Sequence, residues 1–306
     1  MKFAQYLRTC RERLGLTQDE LVSELYLFDE SFEGVDASTL SKWEREVILP
    51  RLSRQVGILR FFQERTGLAL PCWDGMDRES SERAICQRGV RNLLGRSRKI
   101  ILGFPLSLPM DEVTVVQLRD AKQIEVYIGM ARGLDREFTQ DYSALQPEHF
   151  RRWALHPSHA FYVAEYKQQF MGLLFALKVR KEIFDKLLEF GIEECELDES
   201  AFPTIEEPGC SYLLNFFALN DEVASMLFLR YYAHLITHQK QISDVGLIVA
   251  LEDARKLIKD MNLLPYRTRR VSSTLELQSY RNTLPGFFTA PKVLQMFFDP
   301  SDCPEE

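Results

Sequence analysis

No apolar run in the 306 residues approaches the roughly 20 needed to cross a bilayer, and Met1-Lys2-Phe3 leads straight into an amphipathic pattern without a signal-peptide core. A soluble, cytoplasmic protein is the expectation. Cysteine is sparse: positions 10, 72, 86, 195, 210 and 303 contain no Cys-x-x-Cys pair, which argues against a disulfide framework or a zinc ribbon and for ordinary reduced thiols. Walker loops, glycine-rich dinucleotide fingerprints and nucleophile elbows are also missing, so no short motif supports enzymatic chemistry. Positive charge is short overall. A net charge of -7 excludes a protein that simply coats nucleic acid.

The length exceeds one typical domain, and 45% hydrophobic residues suffice for real cores, which suggests a small module beside a larger one. Charge is unevenly distributed. Lys42, Arg45, Arg51, Arg54 and Arg60 outnumber Glu44 and Glu46 between 38 and 60, and Arg78, Arg83, Arg88, Arg91, Arg96, Arg98 and Lys99 outnumber Glu79 and Glu82 between 78 and 99. Acidic residues gather elsewhere, notably at Glu193, Glu194, Glu196, Asp198, Glu199, Glu206 and Glu207. An acidic chain with one basic face is compatible with a phosphate-steered DNA contact.

Phe3, Leu7, Cys10 and Leu14 fall at helical steps, and Gly15 offers a stop. Thr17 with Glu20 three residues later forms a capping-box pattern, followed by Leu21, Val22 and Leu25 as a buried side. Asp36 is a good N-cap for a third helix with Leu40 and Trp43 facing inward and Ser38, Thr39, Ser41 and Lys42 outward. Leu52, Val56, Leu59 and Phe62 mark a fourth helical region. With Gly-Leu-Thr-Gln at 15–18 and Ser-Thr-Leu-Ser-Lys-Trp-Glu-Arg at 38–45, residues 2 to about 66 resemble the lambda-repressor-like (XRE) helix-turn-helix family. The resemblance implies an all-α DNA-reading head in which Gln18 holds a phosphate, Ala37, Ser38 and Lys42 approach bases, and Thr39 and Arg45 lie near the DNA backbone. It also implies a structural ion pair between Arg11 and Glu44. Arg51 and Arg54 are candidate phosphate contacts, a solvated charged face being the even alternative. The acidic Tyr26–Gly34 segment lengthens the connection between helices two and three. It reads either as an extended second helix with a tolerated loop or as a partner-binding projection.

Pro71, Gly75 and Cys72-Trp73 break the helical pattern at 68–77, and Glu79 to Leu94 reads as a basic connecting helix. From there strands (99–104, 113–118, a hairpin at 160–165 and 170–178, 211–219, 245–250) alternate with helices (within 135–155, at 181–190, around 226–230, at 251–261), which implies a central sheet flanked by helices. The stretches 161–165, 170–177 and 249–266 resemble the GNAT acetyltransferase superfamily over roughly 100–275. In that family the turn corresponding to 219–226 is a glycine-rich loop that cradles the coenzyme A pyrophosphate. Here it reads Leu-Asn-Asp-Glu-Val-Ala-Ser-Met, with Asp221 and Glu222 where phosphate would lie, so a degenerate, non-catalytic body without cofactor is the expectation.

His234 and His238 have the spacing of two ligands of one metal on a helix, but no third ligand completes a site, and no metal is expected there or at His156-Pro-Ser-His159. Phe216-Phe217, Phe228, Tyr231-Tyr232, Phe287-Phe288 and Phe297-Phe298 read first as core, with part of the last helix (291–298) as a possible dimer seam. Arg267, Arg269 and Arg270 read as a solvated strand end rather than an anion site. The organisation expected is an XRE-type head at 1–68, a basic linker and helix at 69–99, and a GNAT-like regulatory and dimerisation domain at 100–306. The function expected is a sequence-specific transcriptional regulator that binds double-stranded operator DNA through the helix at 36–45, acts as a homodimer, and has a body open to a small-molecule or protein effector. The alternatives are a protein-interaction antagonist of another regulator and a DNA-tethered N-acetyltransferase.

Overall fold

The computed structural model describes residues 1–85, 89–90, 112–118, 124, 126–127, 129, 133, 145–250, 258–273 and 275–298. The expected strand at 99–104, most of the connecting helix beyond residue 85 with its basic residues at 88, 91, 96, 98 and 99, residues 135–144 and 251–257, Cys86 and Cys303 lie outside the described residues.

Four helices open the chain: α1 (Phe3–Arg13), α2 (Gln18–Phe28), α3 (Ala37–Glu44) and α4 (Leu52–Thr66). Gly15, at φ +69°, lets the chain turn sharply out of α1. The Thr17–Glu20 capping box is closed in both directions, at 3.2 and 2.7 Å, so two amides left over at the start of α2 are satisfied reciprocally. α2 runs on to Phe28 and leaves Tyr26 and Leu27 exposed. The longer connection then folds into a single turn, Glu30–Phe32, which drives the Phe32 ring against Gly57 of α4, where an added Cβ would lie 2.9 Å from the ring. The insertion is therefore anchored in the core by one aromatic side chain.

Residues 68–77 do not run free through solvent. Ala69, Leu70, Cys72 and Trp73 are buried, and the turn Pro71–Trp73 precedes α5 (Arg78–Ala84). Gln63 Nε2 donates to the carbonyls of Ala69 (2.9 Å) and Pro285 (3.0 Å), and the Leu70 amide donates to Gln239 Oε1 at 2.8 Å. Trp73 meets Phe297 edge-on, with ring centres 4.8 Å apart, and Phe3 meets Phe298 in the same way at 5.3 Å. The N-terminal helices and the end of the chain thus share one hydrophobic cluster.

The strands are β1 (Val113–Gln117), β2 (Ala160–Tyr166), β3 (Gln169–Val179), β4 (Gly209–Ala218), β5 (Ile242–Val249), β6 (Leu264–Arg270) and β7 (Glu276–Thr283). They form one mixed sheet in the order β1-β2-β3-β4-β5-β7-β6, in which β4–β5 is the parallel pair and every other pair is antiparallel. The β2–β3 hairpin closes through Lys167 and Gln168, both at positive φ, as the tight two-residue turn requires. α6 (Pro147–Ala154) and α7 (Lys181–Leu188) cover one face through Phe150, Trp153, Phe184, Leu187 and Leu188. α8 (Asp221–Thr237), α9 (Leu284–Phe288) and α10 (Pro291–Phe298) cover the other, where they meet the N-terminal helices. The expected central sheet with helices on both faces is present. β6 follows the helix expected at 251–261 and ends at the basic run read as a solvated strand end, whereas β7 was not foreseen. No helix among the described residues is long and apolar enough to cross a membrane.

Gly246 on β5 shows how closely α7 approaches the sheet: an added Cβ would sit 2.6 Å from the Phe184 ring and 2.9 Å from the Tyr280 carbonyl oxygen. Backbone cannot move aside cheaply, so Gly246→Ala is expected to destabilise the fold by about 1–3 kcal/mol. Urea denaturation checks this, and an unchanged midpoint would show that the contact is loose.

Candidate functional site

Two places are candidates: the outer surface of α3 and the divergence of β4 from β5. Asp36 caps α3 by accepting the Thr39 amide at 2.6 Å, and hydrogen bonding to Thr39 holds the Asp36 carboxyl below its ordinary range. Leu40 and Trp43 are buried on the inner side. Glu44, at the end of the helix, receives two hydrogen bonds from Arg11 (2.6 and 3.1 Å) and one from Gln18 Nε2 (2.8 Å), and Arg11 also reaches the Leu16 carbonyl at 2.8 Å. This network ties α1, the α1–α2 turn, the start of α2 and the end of α3 together. The pairing expected of Arg11 and Glu44 is present, and Gln18 is part of it.

The other sequence candidates divide by their surroundings. Ser38, Lys42 and Arg45 are exposed along one side of α3, while Ala37 and Thr39 are half-buried at its start. Arg51 is exposed ahead of α4. Arg54 is half-buried, donates from Nε to the Ser31 carbonyl at 3.2 Å and lies 5.9 Å from the centre of the Trp43 ring, so it braces the α2–α3 connection. Sequence reasoning passed over Val47, Ile48 and Leu49, which follow α3 with 62%, 47% and 53% of their surfaces exposed. Their hydrophobicity alone predicts burial, and it is Glu46 at φ +60° that turns them outward.

In the sheet, β4 and β5 pair only from Gly209–Leu213 against Ile242–Leu247. A bulge at Leu214 breaks the β3–β4 register and bends β4, after which its residues through Ala218 have no β5 partner. Leu213 to Phe216 and Ile248 to Ala250 are only half-buried although they lie mid-sheet, so the two strands part there with mostly apolar residues at the gap. Beside it, Asn220 caps α8 by accepting the Val223 amide at 2.9 Å, and Asp221 and Glu222 occupy the first turn. Among the described residues, Glu222 Oε2 is shielded from solvent without a hydrogen-bond partner. The capped, doubly acidic helix end does not fit a diphosphate, since one amide is taken and two carboxylates stand in the way.

The candidate histidines lie close together in two pairs, with His159 buried and the other three half-buried. His156 and His159 rings lie 4.5 Å apart and those of His234 and His238 4.7 Å apart, near Lys178, whose Nζ donates to the carbonyls of Thr204, Ile205 and Glu207 at 2.6–3.0 Å. No group of three His, Cys, Asp or Glu among the described residues is arranged to hold a metal ion.

No protein-family model matches the chain, and no curated protein does. The structure is similar to an N-acetyltransferase from Staphylococcus aureus Mu50 (7% identity, 56% of this chain and 97% of that one, TM-score 0.38). It is also similar to a GNAT-family acetyltransferase from Streptococcus pneumoniae (10%, 56% and 99%, TM-score 0.37). A third is FeeM, an N-acyl amino acid synthase from uncultured soil microbes (10%, 58% and 94%, TM-score 0.40). All three are named for acyl or acetyl transfer and none for DNA binding. The expectation of a non-enzyme is corrected accordingly: two of these similar structures carry acetyltransferase names and the third is named an N-acyl amino acid synthase.

Burial holds His159 down at about 3 and His234 well below its ordinary value, with His238, Lys178 and Arg78 adding to the effect at His234, while Glu199 and Glu206 oppose it at His156 and His238. These rings are neutral when folded and take up protons near pH 6.5 when unfolded. Their contribution is therefore complete above about pH 6.5 and is lost as pH falls toward about 3. Between pH 6.5 and 5 His159 alone should remove roughly 2 kcal/mol of stability, and His234 acts in the same direction. Urea titrations across that range test this, and a flat profile would contradict neutral burial.

Proposed function

We propose that the chain is a sequence-specific DNA-binding transcriptional regulator. Its N-terminal helices act as a helix-turn-helix of the XRE type, and its GNAT-like body takes up an effector or partner. The observation that carries this is the placement of α3: its back is fixed by Leu40, Trp43 and the Arg11–Glu44–Gln18 network, while Ser38, Lys42 and Arg45 face outward. A short polar side chain at a helix start can approach base edges, and a lysine one turn on reaches a guanine acceptor or a phosphate. Gln18 steadies the end of α3 from the inside, so its role in this reading is to orient the helix. Arg51 and Arg45 supply flanking phosphate contacts. A homodimer on half-sites about one helical turn, roughly 34 Å, apart gives each small head the effective concentration that one contact lacks.

Lys42→Ala should weaken binding of the full-length protein to its own promoter DNA by about 1–3 kcal/mol against scrambled competitor at near-physiological salt, with the fold unchanged. Equal affinity in the folded variant would remove α3 as the reader.

A second reading, N-acyl transfer from a thioester donor, is favoured by the mostly apolar gap between β4 and β5 and by the unpartnered Glu222 Oε2, an acceptor suited to an amine. In this reading Asp221 and Glu222 set the donor preference by disfavouring a diphosphate. The double variant Asp221→Asn, Glu222→Gln should therefore bind acetyl-coenzyme A about tenfold more tightly than the parent by calorimetry. Equal affinities would discard that role for the carboxylates, and binding by neither protein would discard the thioester reading.

A further inference from the structure

Cys10 projects from α1 and Cys72 from the Pro71–Trp73 turn, and nothing in their sequence spacing pairs them. The fold brings their sulfurs to 2.9 Å, inside the core, with 2% and 7% of the two residues exposed. A disulfide places its sulfurs about 2.05 Å apart, so closure requires a shift of less than about 1 Å. Both residues sit on anchored backbone. α1 is held to α3 through Arg11 and Glu44, and Arg13 Nη1 donates to the Pro71 carbonyl at 2.5 Å, next to Cys72.

The two thiols are not equivalent. The hydrogen bond from Cys10, aided by the charge of Arg13, holds the Cys72 thiol below its ordinary range, whereas burial pushes Cys10 well up. Cys72 is thus the more acidic of the two sulfurs. That division is what stepwise oxidation needs, since the thiolate is the nucleophile and a neighbouring thiol resolves the product.

We propose that Cys10 and Cys72 form a redox-modification site that hydrogen peroxide closes into an intramolecular disulfide, fixing α1 to the turn that joins the N-terminal helices to the sheet-bearing part. The Cys72 thiolate attacks one peroxide oxygen. The O–O bond breaks, hydroxide leaves and takes a proton to become water, and Cys72 becomes a sulfenic acid. The Cys10 sulfur then attacks the Cys72 sulfur, the S–O bond breaks, and the departing hydroxide leaves with the Cys10 proton as a second water. Two thiols lose two electrons, and one peroxide is reduced to two waters. A dithiol reductant reverses the change by exchange.

The test treats folded full-length protein with a small excess of hydrogen peroxide, quenches, alkylates in denaturant and maps peptides without reduction. The expected result is the loss of two alkylatable cysteines of the six, a linked peptide containing Cys10 and Cys72, and recovery of both thiols with dithiothreitol. Cys195→Ser should retain the link, and Cys10→Ser should leave Cys72 to proceed to sulfinic acid. Six alkylatable cysteines after treatment, a link between other positions, or sulfinic Cys72 beside an alkylated Cys10 in the parent protein would each overturn the proposal.

Discussion

Phe297 and Phe298, at the end of the last described helix, meet Phe3, Tyr6 and Trp73 in tilted and edge-to-face contacts with ring centres 4.8–5.3 Å apart. The rest of the architecture depends on this seam. Each such pair is worth about 0.5–1.5 kcal/mol beyond the area it buries, and the rings sit where the beginning of the chain meets its end. Two glutamines extend the seam in polar form. Gln63 and Gln239 are both buried, and each satisfies backbone groups across the same boundary, so the junction leaves those amides paired as well as its rings packed. The DNA-reading surface proposed for α3 is consequently built on a platform continuous with the sheet.

That continuity gives the two candidate places a physical relation. α3 is oriented by Arg11 of α1, and α1 packs on α10 through Phe3 and Tyr6. α9 and α10 pack in turn on Tyr232 of α8, the helix that begins beside the gap between β4 and β5. A shift of α8 would therefore act on a packed series of rings leading to α1, which holds α3, and close-packed interiors transmit such strain. The Cys10–Cys72 contact lies in the same series.

Much of the helical part was legible in the sequence because its signals are local. Thr17 with Glu20, Asp36 ahead of Leu40 and Trp43, and Gly15 after α1 each act within one turn of chain, and each forms the cap or stop expected. The strands of the β2–β3 hairpin were legible from their apolar runs. β7 and the start of β6 were not, because Leu-Pro-Tyr-Arg-Thr-Arg-Arg and Glu-Leu-Gln-Ser-Tyr-Arg-Asn-Thr are polar, as suits an edge strand that must avoid further pairing and its neighbour. The non-local features were equally hidden. Nothing near Trp73 announces Phe297, nothing near Cys10 announces Cys72, and the gap between β4 and β5 arises from a bulge at Leu214 that no composition rule marks. Gln18 and Arg54, read as phosphate contacts from local pattern, have partners from elsewhere in the chain, Glu44 and Ser31, which give them bracing contacts.

The N-terminal helices and the sheet-bearing part form one cooperative unit held by the aromatic seam. Scanning calorimetry of the full-length protein should then show a single transition whose calorimetric and van't Hoff enthalpies agree. Two separated transitions, with Trp43 fluorescence changing in one and Trp153 fluorescence in the other, would contradict it.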